Sequence, residues 1–73
     1  MNYKDLPDYR PVIEELEGNL QEPQENWRWV SFPDEEKAKR FVEWLKMNGY
    51  ETSGVYSSYF LRLKFPAVRF RPW

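Results

Sequence analysis

Rings and basic side chains are interleaved in three stretches of this chain: Trp27-Arg28-Trp29, Phe60-Leu61-Arg62-Leu63-Lys64, and Val68-Arg69-Phe70-Arg71. Because successive side chains of a strand point to opposite faces, Trp27 and Trp29 share one face of their strand, and Phe60, Arg62 and Lys64 one face of theirs. Placed on one sheet, these five residues make a surface with two chemical uses. Single-stranded RNA or DNA stacks its bases on rings at about 1–3 kcal/mol each while cations neutralise its phosphates. Protein interfaces concentrate their binding energy in Trp, Tyr and Arg. A third arrangement buries the same rings as core beneath a helix or a second copy of the chain. Trp44, Arg69 and Arg71 complete the candidate partner-binding set.

Acid–base and covalent chemistry find little to work with. His and Cys are absent, which removes the general base that titrates near neutral pH, the thiolate nucleophile and nearly every zinc arrangement. Glu14 with Glu15 and Glu35 with Glu36 lie on polar helix faces, Ser53, Ser57 and Ser58 lack an activating base, and the three glycines are isolated rather than grouped in a phosphate-binding loop. The expectation is a non-catalytic protein with neither cofactor nor metal.

The elements that position the rings follow from periodicity and punctuation. Tyr9, Val12, Ile13 and Leu16 repeat at helical spacing after Asp8, a candidate N-cap, and Gly18 offers a left-handed stop, so the pattern predicts a first helix over 8–18. The polar run 19–26 reads as a connector. A strand is predicted over 27–32, with Val30 and Phe32 on its inner face. Asp34 then caps a second helix over 34–48, whose buried stripe is Ala38, Phe41, Val42 and Leu45, and Asn48-Gly49 ends it. Trp44 lies about 100° from the centre of that stripe. Segments 50–56, interrupted at Gly54, and 59–65 predict a hairpin with two candidate turns, Ser57-Ser58 or Ser53-Gly54, and 67–71 offers one further short strand at the edge.

The predicted order α-β-α-β-β(-β) defines an α+β sheet of three to four strands with two helices, close to a truncated ferredoxin-like arrangement. The first helix has three placements open to it: over the sheet's outer face, beside the second helix, or docked on another molecule.

At 73 residues the chain forms one domain, and 19% aromatic content compensates for its size. Residues 1–36 hold ten acids against three bases, a balance of −7, and residues 37–73 hold eight bases against two acids, a balance of +6. The net charge of −1 is below the usual footprint of a nucleic-acid-binding domain. No apolar run reaches membrane-spanning length and the N-terminus lacks the apolar core of a signal peptide, so a soluble, unprocessed, cytoplasmic protein without membrane contact is expected. The absence of cysteine suits that reducing compartment.

The run VIEELEGNLQEP, an aromatic strand, and then DEEKAKRFVEWLKMNGYE resemble the B-type regulators of ribonuclease E activity over roughly residues 12–52. The resemblance implies a small non-catalytic protein that binds and restrains an enzyme of RNA metabolism. That family's long acidic C-terminal region has no counterpart here, where AVRFRPW stands instead. The resulting expectation is a regulator or inhibitor that occupies the surface of a larger protein. Single-stranded nucleic acid is the alternative ligand and a homodimer the alternative assembly.

Overall fold

The computed structural model describes residues 6–56 and 65–72. Helix α1 (Arg10–Glu15) is followed by strands β1 (Asn19–Leu20) and β2 (Arg28–Ser31), helix α2 (Glu35–Met47) and strands β3 (Tyr50–Tyr56) and β4 (Ala67–Pro72). The strands form one antiparallel sheet in the order β1-β2-β4-β3. Strands β2 and β3, linked through α2, therefore run parallel with β4 inserted between them, the split β-α-β unit of ferredoxin-like folds. The class is α+β, as the order of periodic segments predicts.

Two strands differ from expectation. The segment expected at the sheet edge, 67–71, is β4, which pairs with β2 on one side and β3 on the other. Alternation of Val68 and Phe70 with Arg69 and Arg71 encodes a strand and its two faces but carries no information about neighbours. Val68 and Phe70 are fully buried, as a central position requires. The expected hairpin partner 59–65 lies, apart from Phe65, outside the described residues; Phe65 occupies a bend, and β3 takes β4 as its partner.

The second difference is the connector 19–26, which proves to be a hairpin arm. Asn19 and Leu20 pair with Ser31 and Val30, Gln21 N–H donates to the Trp29 carbonyl at 2.7 Å, and Gln24 and Trp27 exchange two backbone bonds of 2.9 Å. Glu25 and Asn26 close that pair with φ of 57° and 91°, the two positive values that a two-residue type I′ turn demands. Pro23 and the surrounding acids mask this hairpin, because its pairing is made by backbone groups whatever side chains they carry.

Helix α2 follows its signals closely. Asp34 is extended and its carboxylate accepts from Lys37 N–H at 2.9 Å, Glu35 and Glu36 occupy the first turn, and Gly49 takes φ of +89° just past the end. Helix α1 is shorter than predicted and its ends are shifted. Asp8 accepts from Arg10 N–H at 3.0 Å, but Tyr9 holds the N-cap position. At the other end Glu17, not Gly18, adopts the left-handed conformation, at φ of 60°. Glu17 N–H donates to Glu14 and Gly18 N–H to Ile13, the paired bonds of a Schellman stop. Gly18 is instead required by proximity: a Cβ there would meet Phe32 Cε1 at 2.7 Å and Val30 Cγ1 at 2.9 Å.

Both helices pack on the same face of the sheet. Ile13 from α1 joins Ala38, Phe41, Val42 and Leu45 from α2 in one cluster with Val30, Phe32, Tyr50, Val68 and Phe70. Of the three placements open to α1, the structure adopts the one beside α2. Lys37 in the first turn of α2 pairs with Glu17 at the end of α1, and this hydrogen bond raises the lysine pKa. The opposite face of the sheet carries neither helix. Among the described residues no helix is long and apolar enough to cross a membrane.

Candidate partner-binding face

The helix-free face is built by strand alternation. On β4, Val68 and Phe70 enter the core, so Arg69 and Arg71 point outward. On β2, Val30 enters the core and Trp29 points outward, directly opposite Arg69 in the register. On β3, Glu51 points outward opposite Arg71. Beyond Thr52 the register shifts: Thr52 pairs with Phe70 and Val55 with Val68, so β3 contributes one extra residue, and Gly54 at φ of +94° sits in the bulge. The extra residue reverses the alternation. Ser53 and Tyr56, which strict period two would put on opposite faces, therefore face outward together, their hydroxyl oxygens 3.2 Å apart.

Trp27, just before β2, completes the cluster. The guanidinium carbons of Arg69 and Arg71 each lie 4.2 Å from its ring centroid, and Arg69 also lies 5.4 Å from the Tyr56 ring. Such contacts are worth about 0.5–1 kcal/mol when exposed and more when desolvated. Trp29 packs against Tyr56 with ring centroids 5.3 Å apart. Arg71 binds the Glu51 carboxylate through Nε at 2.7 Å and Nη2 at 2.6 Å. Arg69 donates from Nε to Ser53 Oγ at 2.6 Å. Each ring and each guanidinium is thus held by a neighbour on the same face, which lowers the side-chain entropy lost when a partner docks.

Four of the eight residues expected to bind a partner meet on this face: Trp27, Trp29, Arg69 and Arg71. Trp44 does not join them. It lies on the helix side, half-buried, stacked between Phe41 and Tyr50 at centroid separations of 6.2 and 5.8 Å. Phe60, Arg62 and Lys64 lie outside the described residues. Glu51, Ser53 and Tyr56 join the face in addition to the expected residues. Glu51 and Ser53 follow from plain alternation after the buried Tyr50, and the signal for Tyr56 is Gly54, since a glycine inside a strand marks a bulge and a bulge moves the following residues to the other face.

A shallow depression of about 140 Å³ beside Glu17, Ser31, Phe32 and Phe65 is well below the roughly 300–1,000 Å³ of small-molecule sites. The described residues contain no group of three His, Cys, Asp or Glu arranged to hold a metal ion. Compared with protein families, curated proteins and solved structures, the chain matches none.

Proposed function

We propose that this protein is a non-catalytic regulator or inhibitor that acts by docking the helix-free face of its sheet on the surface of a larger protein. The observation that carries this reading is the cluster of Trp27, Trp29, Tyr56, Arg69 and Arg71 on one face, with every ring and guanidinium held in place by a neighbour. Trp, Tyr and Arg are the residues in which interface energy concentrates, and fixing them in advance reduces the cost of association. The resemblance of residues 12–52 to regulators of ribonuclease E activity suggests an enzyme of nucleic-acid metabolism as the target class, met in the cytoplasm.

Single-stranded nucleic acid is the competing ligand. It needs open ring faces for its bases, and Trp27 already has two guanidinium groups against its ring. A pull-down from the source cell with wild-type protein, Trp29→Ala and a helix-side control, Arg40→Ala, separates the readings. The expected result is one protein retained by wild type and by Arg40→Ala and lost by Trp29→Ala, with all three folded. Retention by Trp29→Ala, or steeply salt-dependent binding of oligothymidylate in place of protein capture, refutes the proposal.

A further inference from the structure

The two guanidinium groups on the helix-free face share a ring, a strand and an orientation, but differ in what lies across from them. Arg71 meets a carboxylate: Glu51 on β3 accepts from both its Nε and its Nη2. Arg69, two residues along the same strand, meets Ser53, which takes only its Nε–H. Among the described residues neither Nη of Arg69 donates to an acceptor and no acid pairs with it. Side-chain acids are also absent from the sequence after Glu51. The protein's own carboxylate therefore engages Arg71, whereas Arg69 is engaged on this face by a hydroxyl and by rings.

Resting on the docking reading above, we infer that Arg69 is the receptor for an Asp or Glu side chain of the partner protein. Trp27 and Tyr56 hold the guanidinium plane at 4.2 and 5.4 Å from their centroids, and Ser53 fixes its Nε edge. The two Nη groups are left to donate to a carboxylate end-on, in the two-pronged geometry that distinguishes Arg from Lys. Trp29, directly opposite Arg69, supplies an apolar wall beside the charge. A single carboxylate is favoured over a polyphosphate chain on charge grounds, because a net charge of −1 lacks the basic excess that an extended polyanion calls for, whereas one acidic side chain needs a single guanidinium.

The test uses phage-displayed random peptides selected on the immobilised whole chain, with Arg69→Gln, Arg69→Lys and Trp29→Ala as variants whose folding is checked by circular dichroism. Enriched peptides are expected to share an Asp or Glu. Its replacement by Asn or Gln should weaken binding about tenfold, as a charge-assisted hydrogen-bond pair requires. Arg69→Gln should produce the same loss, with no further loss when both changes are combined, and Arg69→Lys should restore only part of it. Peptides that bind Arg69→Gln as tightly as wild type but lose Trp29→Ala overturn the carboxylate receptor and leave the docking face standing. Failure to enrich any peptide, with or without oligothymidylate binding, overturns the receptor, and steep salt-dependent oligothymidylate binding overturns the docking reading as well.

Discussion

Replacing Gly18 with alanine adds one methyl group at the tightest point between α1 and the sheet. The new Cβ would lie 2.7 Å from Phe32 Cε1, 2.9 Å from Val30 Cγ1 and 3.1 Å from Ile13 Cγ2, whereas carbon atoms prefer about 3.5–4.0 Å. Phe32 and Val30 are 1% and 0% exposed, so neither can swing into solvent. Overpacking of this kind costs roughly 1–3 kcal/mol. Against it stands the reduced freedom of the unfolded chain, which favours alanine by about 0.4–1 kcal/mol, since Gly18 does not occupy the left-handed region. The net expectation is a loss of about 1–2 kcal/mol from a domain whose total stability is roughly 4–11 kcal/mol. Thermal unfolding followed by circular dichroism should show a fall of roughly 5–15 °C. Gly54→Ala is the control: its Cβ meets nothing within 4 Å but its φ is +94°, so its cost is backbone strain, and Gly54→Asn should recover part of it. Gly18→Asn should be worse than Gly18→Ala. An unchanged or raised melting temperature for Gly18→Ala would refute the close approach of α1 to β2.

Three further outcomes follow from other contacts. Asp34→Ala removes the cap on Lys37 N–H and should cost about 1 kcal/mol in urea denaturation, most of it restored by Asp34→Ser. Tyr50 donates to the Pro7 carbonyl at 2.5 Å, and burial, with smaller contributions from Tyr9 and Asp8, pushes its pKa above the ordinary 10.0. Folded Tyr50 thus holds its proton where the unfolded residue has lost it, so its contribution is full below pH 10 and falls as pH rises through the raised value. Tyr50→Phe should flatten that alkaline loss in pH-dependent melting curves, beside a constant penalty of about 1 kcal/mol for the missing hydrogen bond. Trp44→Ala removes a half-buried ring stacked on Phe41 and Tyr50 and should lower stability by roughly 2 kcal/mol while partner capture, measured below the new midpoint, is retained.

Helix α2 and its flanks were legible because every local signal there agrees: the Asp34 cap, the stripe from Ala38 to Leu45 and the left-handed Gly49. Helix α1 was legible in its apolar stripe but not in its stop, where two glutamates and a glycine compete and tertiary packing assigns the left-handed position to Glu17 so that Gly18 can touch Phe32. Strand order was not legible. The Val68–Phe70 alternation looks the same at an edge as in the centre, and the choice depends on non-local pairing. For the candidate site, alternation alone brought Trp29, Arg69 and Arg71 to one face. The membership of Tyr56 depended on a bulge whose register shift a single sequence indicates only through Gly54, and the side taken by Trp44 depended on the rotation of α2 against Tyr50.

Docking of a partner on the face opposite the helices, as proposed, can be read from the tryptophan side chains separately. Each indole N–H gives its own nuclear magnetic resonance signal, and Trp27 and Trp29 lie on the helix-free face while Trp44 lies on the other. Titrating the isotope-labelled protein with the protein captured by wild type and lost by Trp29→Ala should shift or broaden the Trp27 and Trp29 signals and leave Trp44 in place. Movement of the Trp44 signal with Trp27 and Trp29 unchanged would contradict the account.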